Sequence, residues 1–237
     1  MKFLNVSAIV LASALVLASC SQKPKGDEAQ VTDAQEAAAA TGVEYAVNSG
    51  STIQWIGSKP AGQHNGTIAV KEGSFTVNGE NITGANLVFD LTNIVAEDLK
   101  EDSTKHAKLV GHLQSPDFFD VANHPEGKFE LTSVAPFQAV EGEEVVLEGA
   151  THTVTGNLTL RGTTLAVTFP AIVHVMGDKV HAEAKFNIDR TKWGVSYGDE
   201  ANAVDKAKDF YINNTVNVAF NLMATKAAAT TEETAAM

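Results

Sequence analysis

Two histidines flank a glycine turn, and their spacing is the sharpest metal-like pattern in the chain. A two-residue turn at Gly177-Asp178 pairs Met176 with Lys179, Val175 with Val180 and His174 with His181. The two imidazoles then stand side by side on one face of a hairpin, with Glu183 next along it. The same face carries Lys185 and Asn187, so it is expected to be the outer, solvated one, and no metal site is assigned. Arginine is the second marked feature. Only Arg161 and Arg190 occur, against fifteen lysines. A guanidinium offers a rigid fork for phosphate or carboxylate that an ammonium does not reproduce. Arg190 shares the parity of Phe186 and Ile188 and is expected to point inward; it either pairs with Asp189 or Asp117 or receives a ligand head group. Arg161 has the opposite parity to Leu158 and Leu160 and sits at a turn.

Catalytic arrangements are not legible. There is no Gly-x-Ser-x-Gly, no His-Glu-x-x-His and no phosphate-cradling glycine loop. His64 and His112 are titratable but more naturally hydrogen-bond at a rim. No enzyme activity and no cofactor is assigned. Cys20 is the single cysteine, so an intramolecular disulfide is impossible. It follows Lys2, an apolar run from Ile9 to Leu17, and Leu17-Ala18-Ser19. That run is too short to span about 30 Å of hydrocarbon as a helix. It reads as a signal peptide, residues 1–19, ending in a lipobox, with Cys20 as the lipidated residue. The expected location is the cell envelope, lipid-anchored, and Ser21 after the cysteine points to the outer membrane.

The elements that must position such residues are strands. Period-two alternation recurs at Leu87-x-Phe89-x-Leu91, Phe129-x-Leu131, Val154 to Leu160, Leu165-x-Val167-x-Phe169, Val180 to Ile188 and Val216 to Leu222. Turn signals separate them at Asn78-Gly79, Arg161-Gly162 and Gly177-Asp178. Between Glu97 and Gln114 the period changes, and Leu99, Leu109, Val110 and Leu113 suit one face of a helix. The pattern predicts an all-β antiparallel barrel or sandwich of eight to ten strands with one inserted helix. Residues 20–42, poor in large apolar side chains, are expected to be a flexible tether. The folded domain then spans 43–224, and 225–237 is a disordered tail. The net charge of −12 disfavours nucleic acid as a partner.

Several blocks carry a resemblance: His64-Asn65-Gly66, Ser115-Pro116-Asp117-Phe118-Phe119-Asp120, Gly156-Asn157-Leu158-Thr159-Leu160-Arg161-Gly162 and Ile188-Asp189-Arg190-Thr191-Lys192-Trp193-Gly194. In this order and spacing the chain resembles the YceI-like family of exported bacterial proteins. The resemblance implies a lipocalin-like antiparallel β-barrel of about eight strands. It also implies an interior that holds a long-chain amphiphile: a polyisoprenoid, an isoprenoid quinone or a fatty acyl compound. The small inward residues Gly156, Ala182 and Ala184 are expected to leave open space beside Phe129, Phe169 and Phe186. Further candidate ligand contacts are Trp55, His64, Leu158, Leu160, Ile188, Arg190 and Trp193, with Phe118 and Phe119 as a lid at one mouth. The expected partners are thus a hydrophobic small molecule, held as by a carrier, buffer or scavenger, and a membrane reached through the anchor. The competing expectation is a structural or adhesive surface lipoprotein with a filled barrel.

Overall fold

The computed structural model describes residues 24–139, 145–200 and 211–228. The stretch expected to be a signal peptide (residues 1–19), Cys20 and the residues beyond 228 lie outside the described residues.

Among the described residues eleven strands form one sheet that closes on itself. They are β1 (Asp27–Glu28), β2 (Gln30–Asp33), β3 (Val43–Val47), β4 (Thr52–Lys59), β5 (Gly62–Asn78), β6 (Asn81–Ala96), β7 (Glu126–Pro136), β8 (His152–Leu160), β9 (Thr163–Met176), β10 (Lys179–Asp189) and β11 (Thr215–Lys226). From β5 to β11 each strand pairs antiparallel with the next. β3 and β4 share the one position between β11 and β5, which closes an eight-position antiparallel barrel. The helix α1 (Ser103–Gln114) lies between β6 and β7.

The hairpins follow from turn chemistry. At Arg161-Gly162 both residues adopt positive φ (49° and 74°), as a two-residue turn matched to strand twist requires. Gly177 (φ 61°) turns β9 into β10 in the expected register, with His181 opposite His174. The long strands β5 and β6 coil around the barrel through register shifts after Ile68, Val70 and Thr76. α1 is capped by Asp102, whose carboxylate accepts from the Lys105 amide at 3.0 Å. Its C-terminal end is tied to β6 by Gln114 Nε2 donating to the Thr92 carbonyl at 2.8 Å. No residue of α1 is buried, and of its expected apolar stripe only Leu109 and Leu113 reach the barrel interior.

Two junctions in the wall are incomplete: β6 and β7 pair only over Asn86–Asp90 and Glu126–Glu130, and β9 and β10 part midway. β9 and β10 pair only from Met176/Lys179 to Ala171/Ala184. The Ala171 carbonyl and the Val173 amide are both taken up by Thr151 on the β8 side. By alternation Pro170 therefore faces β10, where it has no N–H to donate, and the ladder stops.

The segment from Pro24 fills the gap between β9 and β10, which corrects the expectation of a free tether. β1 pairs parallel with β10 (Asp27 opposite Phe186), and β2 pairs antiparallel with β9 (Gln30 opposite Thr168). Beyond β2 the chain stays attached. Gln35 exchanges two hydrogen bonds with the Asn157 side chain (2.9 and 2.7 Å), and the Ala38 amide donates to the Leu131 carbonyl. Asn187, expected on a solvated face, is buried beneath this segment together with Asn157 and Asn217. Polar composition misled because the segment docks through its backbone, and side-chain hydropathy does not report that.

Candidate functional site

The inward faces of the barrel do not meet. They leave a cavity of about 400 Å³, within the range of sites that take small organic ligands. Its wall is apolar for most of its length: Leu87, Leu131 and Val154 from the middle strands, Phe169 and Val173 from β9, Phe186 from β10 and Phe220 from β11. One end is closed. There Tyr45 is buried and donates its hydroxyl to the Gly177 carbonyl at 2.9 Å, and Val180, Leu222 and Ala224 fill the space beneath. The other end is framed by the β4–β5 hairpin, Leu109 and Leu113 of α1, Phe118 and Phe119, and Val195 and Ile212.

The sequence-based candidates fall into two groups. Trp55, His64, Phe118, Phe119, Phe129, Leu158, Leu160, Phe169, Phe186, Ile188 and Arg190 all line the cavity. Ala184 and Trp193 do not. Ala184 sits between Phe220 and Ala171 in the sheet and is buried in the packed core. Trp193, fully buried in the 3-10 turn Arg190–Trp193, donates its indole N–H to the Leu158 carbonyl at 2.9 Å and braces the strand from outside the cavity. Gly156 is corrected too. A Cβ there would lie 2.2 Å from Phe129 Cζ, so the Phe129 ring already occupies the space the glycine leaves. Ala182 does line the cavity, and so does Ala171, which alternation on β9 alone could have revealed.

Gly66 shows how a bare backbone shapes this wall. A Cβ on it would meet the Val95 carbonyl at 1.8 Å and Trp55 Cζ2 at 2.6 Å. The Trp55 ring, opposite Gly66 on the neighbouring strand, packs directly on the β5 backbone in the space a side chain at 66 would take.

Arg190 is 5% exposed, and its fork is spent on the protein's own backbone. Nε donates to the Asn213 carbonyl at 3.2 Å, one terminal nitrogen to Val195 at 2.5 Å and the other to Ile212 at 2.9 Å. The expected partners Asp189 and Asp117 do not receive it. Burial lowers its pKa, an effect that the nearby carboxylates of Asp199, Asp189 and Glu200 oppose. Phe118 lies 5.9 Å from the guanidinium carbon, and its ring meets Tyr197 and His112 edge-on or tilted. Arg161 does the same for the adjoining loop, donating to the carbonyls of Pro116 and Phe118. Both arginines tie the rim together.

The rim histidines are each paired with a carboxylate. His64 Nδ1 lies 2.7 Å from Asp98, and His112 Nε2 lies 3.2 Å from Asp117. Burial works to raise the Asp98 pKa, but hydrogen bonds from His64 and the Asn65 amide outweigh it and the net direction is down. On the outer wall His174 and His181 stack at 6.3 Å, and His181 Nε2 is 3.1 Å from Asn221 Oδ1. Among the described residues no group of three histidine, cysteine or carboxylate side chains is placed to hold a metal.

The barrel and its lumen can be set beside known proteins. A UPF0312 protein of Photorhabdus laumondii is 34% identical over 146 residues, 61% of each chain. Protein YceI of Salmonella arizonae is 33% identical over 148 residues, 62% of each. The chain thus spans less than two thirds of the length of these relatives. Among solved structures, a polyisoprenoid binding domain from Saccharophagus degradans matches with a TM-score of 0.56 at 18% identity, covering 78% of this chain and 99% of that one, which shows a shared fold. The model of the YceI-like domain matches residues 45–224, from the buried Tyr45 on β3 to Ala224 on β11, and the chain belongs to that family.

Proposed function

We propose that this protein binds a long-chain amphiphile (a polyisoprenoid, an isoprenoid quinone or a fatty acyl compound) inside the barrel and acts in the cell envelope as its carrier, buffer or scavenger. The observation that carries this reading is the apolar cavity of about 400 Å³, closed at Tyr45 and framed at the other end by Phe118, Phe119 and Ile212. Each methylene transferred into such a lumen contributes about 0.8 kcal/mol before the cost of ordering the chain. The likeness to a polyisoprenoid binding domain supports the class of ligand. The cavity also weighs against a purely structural or adhesive role with a filled barrel.

Arg190 gives up three donors to carbonyls, so the head group is met by the rim as a whole and not by a dedicated cation. The protein is read as a binding module and not an enzyme, held to the membrane by acyl chains on Cys20. Three chains give stable anchoring where one gives only marginal attachment. Native mass spectrometry of the gently purified protein tests the binding reading. A co-purifying mass of several hundred daltons that is recovered in an organic extract supports it; an empty barrel that also fails to take up a tetraprenyl benzoquinone sinks it. Cys20→Ala tests the anchor: the variant leaves the detergent phase, whereas equal partitioning of variant and wild type refutes lipidation.

A further inference from the structure

The barrel wall is interrupted at two of its junctions, β6–β7, where only Asn86–Asp90 pair with Glu126–Glu130, and β9–β10, and it is the second that opens beside two stacked rings of the lumen. Beyond Ala171 and Ala184 no backbone ladder joins β9 and β10, because Pro170 faces β10 without an N–H. Two layers close the slot instead. On the inside, Phe169 of β9 and Phe186 of β10 stack face to face, with centroids 4.0 Å apart and planes at 10°, and both rings line the cavity. On the outside lies the segment from Pro24 to Ala38, which presses Ala29 and Val31 against the core. This outer layer is held by hydrogen bonds more than by apolar burial: the Asp27 carboxylate accepts from the Val146 and Leu147 amides, Glu28 from Asn187, and Gln35 pairs with Asn157. β1 meets β10 only at Asp27 and Glu28, β2 meets β9 only from Gln30 to Asp33, and most of both strands is exposed or half-buried. Elements with so little buried apolar contact open at free energies far below global unfolding.

The framed end of the lumen is cross-tied from loop to loop by side chains. Arg190 binds the carbonyls of Val195, Ile212 and Asn213, Asn213 binds the Ser58 hydroxyl at 2.7 Å, and Arg161 holds the Pro116 and Phe118 carbonyls. A long chain that enters there threads end-on between Phe118, Val195 and Ile212. Through the slot it enters sideways, once the strap lifts and two phenyl rings part.

We propose that residues 24–38 are a removable side wall, and that long-chain ligand enters and leaves the lumen between β9 and β10 when this strap lifts. The lock is specific. Gly26 crosses so close above two buried asparagines that a Cβ would sit 2.3 Å from Asn217 Nδ2 and 2.7 Å from Asn187 Oδ1. Asn187 Nδ2 donates to the carbonyls of Pro24 (3.2 Å) and Gly26 (3.0 Å), and Asn217 Nδ2 to that of Lys25 (3.3 Å). These side chains clamp backbone carbonyls, so the strap can leave and return without burying or exposing a large apolar face.

The inference rests on the binding reading above, and the test separates the two. In the full chain carrying Cys20→Ser, Gln30→Cys and Thr168→Cys place a disulfide between facing residues of β2 and β9. Quenching of tryptophan fluorescence by a tetraprenyl benzoquinone reports loading, since Trp55 lines the lumen. The oxidised staple, verified by mass, slows both loading and release at least tenfold relative to the same protein after reduction, with affinity changed less than twofold. Gly26→Val, which loosens the strap, speeds both at least threefold, and this arm decides alone if the disulfide fails to form. Rates within twofold of wild type for a formed staple, or for Gly26→Val where no staple forms, overturn the inference and assign entry to the framed end. Wild type that takes up no quinone at all removes the binding reading, and the strap's role falls with it.

Discussion

Asn187 and Asn217 lie opposite one another on β10 and β11, joined at 3.0 Å from Asn217 Nδ2 to Asn187 Oδ1, and both are buried on the outside of the barrel. An outward-facing pair is buried here because another part of the same chain covers it. Beyond the bond between them, the two amides donate to backbone carbonyls of residues 24–26 and Phe186 and to the Glu28 carboxylate, so the pair converts a bare sheet surface into a receptor for polypeptide.

Replacing Asn217 with Ala removes donors to Lys25 and Phe186 and strands the Asn187 carbonyl oxygen. Unsatisfied buried polar groups cost about 1–3 kcal/mol each. The expected outcome is a lower melting temperature and faster amide exchange across residues 24–38, with the strands from β5 to β8 exchanging as in wild type. Exchange that rises uniformly over the barrel contradicts a local lock.

Ala182 and Ala184 are neighbours on the same face of β10, yet only Ala182 borders the lumen. Ala182→Phe should project a ring into empty space, leaving the melting temperature of the ligand-free protein close to wild type while weakening ligand retention. Ala184→Phe must displace packed rings and should cost about 1–3 kcal/mol. Paired thermal denaturation and quinone titration measure both. Equal destabilisation by the two substitutions means that the lumen beside Ala182 is filled.

Arg190→Lys keeps the charge and loses the fork that binds three carbonyls. A loss of about 2–3 kcal/mol in stability is expected, since each orphaned buried acceptor adds its own desolvation penalty. Binding of an anionic and of a neutral isoprenoid should fall in parallel, if at all. A selective loss of the anionic ligand instead makes Arg190 a head-group residue.

His152 gives the fold a pH dependence. Burial lowers its pKa below the usual 6.5, with a further push from neighbouring His174. In the unfolded chain the imidazole protonates near its ordinary value, so as pH drops below about 6.5 the unfolded state takes up the proton first. Stability is therefore complete above that pH and declines as pH falls toward the folded-state pKa. Melting curves from pH 7.5 to 5.5 should show a steeper loss in wild type than in His152→Asn. Identical slopes exclude His152 as the source.

Much of this architecture was written in local pattern. Period-two alternation marks the strands because successive side chains on a strand must face opposite sides, and the Gly177 turn fixes the His174–His181 register because the loop length leaves one pairing. The same alternation placed Phe129, Phe169, Phe186 and Ile188 toward the interior, and all four line the lumen. What alternation cannot carry is depth. Ala182 and Ala184 have the same parity, and Gly156 looks as small as either, but only Ala182 borders open space, and at Gly156 it is the ring of Phe129, reaching across from β7, that fills it. Arg190 likewise was legible as inward but not as satisfied, since its acceptors are carbonyls of Val195, Ile212 and Asn213, and every residue type offers the same carbonyl. The strap is the extreme case. Its side chains are those of a linker, and only the closed barrel, with Pro170 interrupting one ladder and asparagines waiting outside it, decides that residues 24–38 become part of the wall.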